Sequence, residues 1–296
     1  MKKIYVLLIS LFMVFSLAAC TAAKKKVIGF AASTFTNPFF NDIKTGIEGV
    51  LKDSGYTLVS LGADNDASKQ AGQIEDLIAQ KVNIILLNPV DSTTVGTMID
   101  KANAAGIKVI TVDRSAASGT VIAHVASDNV AGGKMAGEFL KTKYTSDFKV
   151  LELLGQAGAS AAIDRSTGFN AAFGAANINQ SITANWDRAQ GQTVTEAFLT
   201  AQHNPAKVIV FAANDEMALG AVQALKANTA IKEYHIVGFD AITDAVNAVN
   251  AGTMDATVAQ QPVQIGAVAA KAALDYLAGK TVSAIQPVAL SLVVKK

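Results

Sequence analysis

The two halves of the chain carry the same run of elements, and that repeat limits the fold more tightly than any other feature. Four short β-branched or apolar runs, VIGF (27–30), TLVSL (57–61), NIILL (83–87) and IKVITV (107–112), have strand length. Helical patterns separate them: Phe39, Phe40, Ile43, Ile47, Val50 and Leu51 recur at helical spacing, as do Ile74, Leu77 and Ile78. Strands VLELL (150–154), SITANW (181–186), VIVFA (208–212) and HIVGF (235–239) follow at nearly the same intervals, displaced by roughly 125 residues. Alternating strand and helix requires parallel strands joined by right-handed crossovers. The expected class is therefore α/β, with two similar Rossmann-like domains built on parallel-sheet cores by a half-chain duplication. With 296 residues, 51% apolar and 17% charged, the chain can fill two such cores, which excludes a disordered protein.

Two polar landmarks move with the repeat. Asn88 and Asp113, each just past the carboxyl end of its strand and 25 positions apart, are echoed by Asn214 and Asp240, 26 apart. Ligands of open parallel sheets sit beyond the carboxyl ends of the strands, so two facing domains would gather all four residues in one cleft. Asn and Asp also cap helices and make turns at such places. Four at equivalent positions favour a site.

That cleft is poor in the parts catalysis needs. The sequence has no G-x-S-x-G elbow, no Walker A loop, no H-E-x-x-H and no paired cysteines. His124, His203 and His235 are widely spaced, so neither a metal nor another cofactor is expected. Gly132, Gly133 and Gly137 lack dinucleotide-binding spacing and suit close helix packing. Ser160 in GASAA, without a partner histidine nearby, suits a cap or loop contact better than a nucleophile. Carboxylates, amides, a guanidinium and aromatics gathered near strand ends fit a neutral, hydroxyl-rich ligand. A sugar hydroxyl both donates and accepts: Asp takes its hydrogen, Arg gives one, and Asn or Gln does both. An unpaired hydroxyl in a dry cleft would cost about 1 to 3 kcal/mol, which is how epimers are told apart. Phe39 and Phe40 at the first helix, and Trp186 between Asn185 and Asp187 at the end of its strand, offer rings for the apolar face of a sugar.

Residues 1–20 place two lysines before an apolar stretch, Ile4 to Ala19, and small residues before Cys20, the layout of a secretory signal. Sixteen helical residues span roughly 24 Å, short of a hydrocarbon core of about 30 Å. Removing Lys2 and Lys3 from the 25 basic residues leaves 23 against 24 acidic ones, no footprint for nucleic acid. Leu17-Ala18-Ala19-Cys20 resembles the lipobox of bacterial lipoproteins. That resemblance implies a signal peptide over 1–19, lipid on Cys20, a tether over 20–25, and a protein held at the outer side of the cytoplasmic membrane. Two or more acyl chains would anchor it stably. A single cysteine also excludes an intramolecular disulfide.

From Val27 to Lys296 the sequence resembles the ribose-binding proteins, type I periplasmic substrate-binding components of ABC sugar importers. The most specific segments are TNPFF (36–40), LLNPVDS (86–92), ITVDR (110–114), HVASDNVAGGKMAG (124–137), NDEMALGA (214–221), VGFDA (237–241) and VAQQPVQIGA (258–267). The resemblance implies that Asn37, Phe39 and Phe40 contact a sugar from the first helix, and that Asn88, Asp113 and Arg114 bind its hydroxyls from the first domain. Arg165, Asn214, Asp240 and Gln260 would close over it from the second, with Phe239 and Trp186 packing on ring faces. It further implies a three-stranded hinge, an N-terminal lobe of 26–127 and 261–289, a C-terminal lobe of 128–260 and 290–296, and a monomer whose closed form meets ABC permease subunits. A chemoreceptor is left open as a second partner. Every polar position of the ribose pattern is retained, so D-ribose is the first expectation; Trp186, where that pattern has phenylalanine, can narrow the pocket or tilt the ring, which makes allose, another aldose or a furanose-like signalling molecule the alternatives. A lactose-repressor-type regulator shares the fold but needs a helix-turn-helix where the signal stands. A secreted sugar-acting enzyme would have to use Asp113 or Asp240 as its base.

Overall fold

The computed structural model describes residues 26–295, so the signal segment and Cys20 lie outside the described residues. The first half runs β1 (Val27–Ala32), α1 (Pro38–Leu51), β2 (Thr57–Gly62), α2 (Ala67–Ala79), β3 (Ile84–Leu87), α3 (Gly96–Ala104), β4 (Lys108–Val112) and β5 (Ala123–Ser127). The second runs α4 (Asn129–Lys141), β6 (Lys149–Leu154), α5 (Ser160–Phe169), β7 (Gln180–Thr183), α6 (Arg188–Ala201), β8 (Lys207–Ala212), α7 (Asp215–Ala227), β9 (Glu233–Asp240), α8 (Thr243–Ala251) and β10 (Ala256–Ala259). Three elements close the chain: α9 (Pro262–Leu277), β11 (Ile285–Val288) and β12 (Ser291–Val294).

These strands form two six-stranded sheets of matching order, β11-β5-β4-β3-β1-β2 and β12-β10-β9-β8-β6-β7. The first is parallel throughout, and the second is parallel except for β12, which runs against β10. The chain passes between the sheets three times, after β5, after β10 and between β11 and β12. Each sheet is covered on both faces, which is why its central strands are apolar without alternation: Ile84 to Leu87 and Val208 to Ala212 are all buried.

Helix starts follow from side-chain caps. Asn37 Oδ1 accepts from the Phe39 N–H at 2.9 Å with Pro38 in the first turn, Asp66 Oδ1 accepts from Ser68 and Lys69, and Asp187 Oδ1 accepts from Gln190. Glycines then set how closely helices meet. A β-carbon on Gly46 would collide with the Val263 carbonyl and one on Gly266 with that of Ile43, locking α1 against α9. Gly133 and Gly168 do the same for α5 and α4, the equivalent pair of the second lobe, through the carbonyls of Arg165 and Val130. Gly132 accepts the Phe239 ring and Gly137 the Phe169 carbonyl. The glycine-rich start of α4 is therefore a packing surface.

One strand is shorter than its sequence suggests. SITANW does not run as strand to Trp186: β7 ends at Thr183, and the Asp187 N–H closes a turn on the Ala184 carbonyl at 3.0 Å. Asn185 and Trp186 take left-handed backbone, φ 52° and 65°, so the indole stands on a turn and not on a strand end.

Candidate functional site

The carboxyl ends of the two sheets face each other across a cavity of about 70 Å³. The first lobe lines it with Thr34, Thr36 and Asn37 from the β1–α1 loop, Phe39 and Phe40 from α1, Asn65 after β2, and Asp113 and Arg114 after β4. The second contributes Ala161 and Arg165 from α5, Asn185, Trp186 and Asp187 after β7, Asn214 after β8 and Asp240 at the end of β9.

Of the expected residues, Asn37, Phe39, Phe40, Asp113, Arg114, Arg165, Trp186, Asn214 and Asp240 meet at this cavity. Asn88, Phe239 and Gln260 do not line it; each stands behind a residue that does. The Asn88 amide is held by protein at both ends: Oδ1 accepts from the Ser33 N–H at 3.1 Å, and Nδ2 donates to the Val112 carbonyl at 3.0 Å and to Asp113 Oδ2 at 3.1 Å. Both amide hydrogens are spent on protein acceptors, one of them on Asp113, so Asn88 orients that carboxylate. Phe239 is wholly buried, with the Arg165 guanidinium 3.7 Å from its ring centroid, so it is a platform for that arginine. Gln260 Nε2 donates to Asp240 Oδ1 at 2.8 Å, and its side chain faces a neighbouring groove with Phe39 and Gln261.

Asn37 and Asn214 are both cap and lining. Asn214 Oδ1 accepts from the Met217 N–H at 3.0 Å, and its Nδ2 donates to the Trp186 carbonyl at 3.3 Å, tying the Trp186 turn to α7. Capping and ligand contact are therefore compatible roles for one amide.

The arginines lie under and beside aromatic rings. Arg114 Nη1 donates to the Pro89 carbonyl at 3.2 Å, and its guanidinium carbon lies 5.6 Å from the Phe40 ring and 5.3 Å from that of Trp186. Arg165 Nε donates to Asn129 Oδ1 at 2.8 Å and Nη1 to the Ala213 carbonyl at 2.7 Å, with Asp240 Oδ1 3.5 Å away. Burial lowers both guanidinium pKa values, Arg114 to about 10, where it stays a protonated donor at neutral pH. Burial also pushes the Asp240 carboxyl up to about 7, against the pull of Arg165.

Behind Asp240 lies a second acid, Asp215, whose pKa burial drives well above the usual carboxylate range. Thr257 Oγ1 donates to its Oδ1 at 2.7 Å and the Ile242 N–H to its Oδ2 at 2.9 Å, while the Ala241 N–H donates to Thr257 Oγ1 at 3.2 Å. This network braces the left-handed Asp240–Ala241 turn, φ 117° and 58°.

Three lining residues carry buried polar atoms with no protein partner: Asp113 Oδ1, Asn65 Oδ1 and Trp186 Nε1. Two acceptors and a donor left open around one cavity match a hydroxyl-bearing solute. Sequence reasoning missed Thr34, Thr36, Asn65, Ala161, Asn185 and Asp187 as lining. A signal for Asn65 and Asn185 was present: each follows the second strand of its half, and both adopt left-handed backbone.

Residues 28–281 match the family described as periplasmic binding protein domain. The chain is 44% identical to the ribose import binding protein RbsB of Haemophilus influenzae, covering 92% of this chain and 93% of that one. It is 45% identical to the ribose import binding protein RbsB of Bacillus subtilis, covering 88% and 84%. Among solved structures, a galactofuranose binding protein superposes with a TM-score of 0.85 at 27% identity, covering 91% of this chain and 94% of that one.

Proposed function

This chain belongs to the periplasmic binding protein domain family, whose members bind solutes for transport and are not enzymes, and from that premise we propose that it delivers D-ribose to an ABC importer. The observation that carries a polyol ligand is the trio of unpartnered buried groups, Asp113 Oδ1, Asn65 Oδ1 and Trp186 Nε1, around one cavity. Ribose is favoured because the ribose import binding proteins match along nearly the whole described chain.

The geometry does this work without bond chemistry. Asp113 accepts a hydroxyl hydrogen while Asn88 and Arg114 hold its other oxygen in place. Arg114 and Arg165 donate from opposite lobes, and the Phe39–Phe40 pair, edge to face with centroids 5.3 Å apart, takes the apolar face of the ring. Because the ligand touches both lobes only when they are together, its binding energy shifts the population to the closed state. That form is what permease subunits, and a chemoreceptor where one is coupled, would recognise. The protein acts as a monomer outside the cytoplasmic membrane, anchored by lipid on Cys20; no described helix is long and apolar enough to cross a membrane.

Trp186 supplies the test. Its emission is expected to change saturably with D-ribose at micromolar concentration, and Asp113→Ala or Arg114→Ala should abolish the change. No response in emission or thermal stability to ribose, allose and a wider monosaccharide panel would overturn the sugar reading. One observation favours a second ligand class: Trp186 Nε1–H adds a donor that phenylalanine lacks. A furanose with an extra hydroxyl would then bind more tightly than ribose in the same titration.

A further inference from the structure

We propose that Ser92 and Ser160 are positioning residues that latch the two lobes together beside the cavity without touching the ligand, an inference that rests on the sugar-binding reading above.

Ser92 follows β3 in the first lobe and Ser160 opens α5 in the second. Three hydrogen bonds cross between the lobes through them. The Ser92 N–H donates to the Gly158 carbonyl at 2.9 Å, the Ser160 N–H donates to Ser92 Oγ at 3.1 Å, and the Ser115 N–H donates to Ser160 Oγ at 2.9 Å. A fourth, from Gln156 Nε2 to the Asn65 carbonyl at 3.1 Å, extends the row. The first N–H groups of a helix have no partner inside it, and Ala159 at the cap of α5 has no side-chain acceptor to offer. The missing acceptor for Ser160 comes from the opposite lobe, so it is gained only on closure.

Neither serine lines the cavity, yet their neighbours do: Arg114 precedes Ser115, Ala161 follows Ser160, and Arg165 lies further along α5. The row therefore sets the register in which the two guanidinium groups face one ligand. Gly158 fits the joint tightly; it has φ +84°, and a β-carbon there would press on the Asp91 carboxylate.

A bond that stabilises closure but not the ligand has a distinct signature. It changes the fraction of protein competent to hold a ligand, so its loss weakens every sugar by one factor. Loss of a contact residue changes the ratio between sugars instead. Sugar enters the open form, so the loss should show in the dissociation rate.

Ser160→Ala removes the acceptor for Ser115, and Ser92→Ala removes the acceptor for Ser160. Each should raise Kd for D-ribose about five-fold, the worth of one ordinary hydrogen bond, through faster dissociation. The ratio of ribose to allose affinity and the urea midpoint of ligand-free protein should stay as in wild type, and Ser160→Thr, which keeps the hydroxyl, should restore binding. Unchanged Kd and dissociation rate in both alanine variants, or an altered ribose-to-allose ratio, would overturn the latch. Should wild-type protein bind none of the sugars, the sugar reading fails and the latch is judged separately by amide exchange in ligand-free protein. Exchange at Ser92 and Ser115 that is faster in Ser160→Ala than in wild type supports it; equal exchange in the two proteins overturns it.

Discussion

Asp113 and Asp240 reach the cavity from opposite lobes in left-handed backbone, φ 63° and 117°, a strain of about 1 to 3 kcal/mol each that the surroundings must hold. Asn88 and Gln260 grip the carboxylates, and Asp215 with Thr257 grips the turn that carries Asp240. Asp215→Ala leaves the buried Thr257 hydroxyl and the half-buried Ile242 N–H without their acceptor, so it should cost about 2 kcal/mol in urea unfolding and weaken sugar binding, although Asp215 does not line the cavity. Asp240 gives a pH test. Its pKa in the folded protein is raised from 3.8 to about 7, so folding favours its protonated form. That contribution is complete below pH 3.8 and is lost as pH rises through about 7. The stability of ligand-free wild type relative to Asp240→Asn should therefore fall between these limits and level off above them, as followed by urea midpoints across pH; a difference independent of pH would mean that folding does not raise the Asp240 pKa. At this scale the repeat made Asp113, Asn214 and Asp240 legible, because the ends of parallel strands are where ligands sit. It could not separate Asn88 from them, since nothing in its position along the strand tells that both ends of its amide are consumed by Ser33, Val112 and Asp113.

Among helices, the same device recurs in equivalent places: a glycine on each partner lets α1 meet α9 and α4 meet α5 at backbone contact. The second of these joints carries Arg165, whose own carbonyl is what a side chain at Gly133 would strike. Gly133→Ala should thus destabilise the protein by about 2 kcal/mol or more and displace Arg165, lowering sugar affinity as well. Gly49→Ala is the control with opposite sign. It lies within α1 with nothing in reach of an added methyl, so the usual helix preference applies and stability should rise by about 0.5 to 1 kcal/mol. Paired urea curves decide between these signs, and equal effects would mean that helix propensity alone governs both. Helices and strands were legible because apolar spacing differs between them, and the glycines after Asp128 could be assigned to packing. Their partners were not, because the facing helix is set by how the chain crosses between sheets and not by local pattern. The end of β7 was misjudged for a related reason: apolar Trp186 continues a strand-like run, but Asn185 and the capping Asp187 turn the backbone before it.

For the molecule as a whole, the two sheets have their own cores on both faces and share a ligand cavity only where their carboxyl ends meet. A solute held there is gripped by groups anchored in different cores, Asp113 and Arg114 in one and Arg165 and Asp240 in the other. Binding to native protein alone stabilises it by mass action, about 2.7 kcal/mol at a ligand concentration 100 times Kd. The two-sided grip fixes where that stabilisation should be seen. Amide exchange with D-ribose bound should slow in β4 and its following loop, in α5 and at the end of β9 together, and along the three passages between sheets, because opening either lobe releases the ligand from both. Protection confined to one lobe would mean a ligand docked on a single sheet, and Arg114 and Arg165 would not then serve one molecule. The uncharged ligand sets a second condition on the same experiment. Its contacts are hydrogen bonds to fixed, buried charges screened little by salt, so protection and affinity should hold when ionic strength rises from about 0.01 to 1 M. A phosphorylated sugar drawn in by Arg114 and Arg165 would instead lose affinity steadily over that range, and a steep salt dependence would replace the neutral monosaccharide with an anionic one.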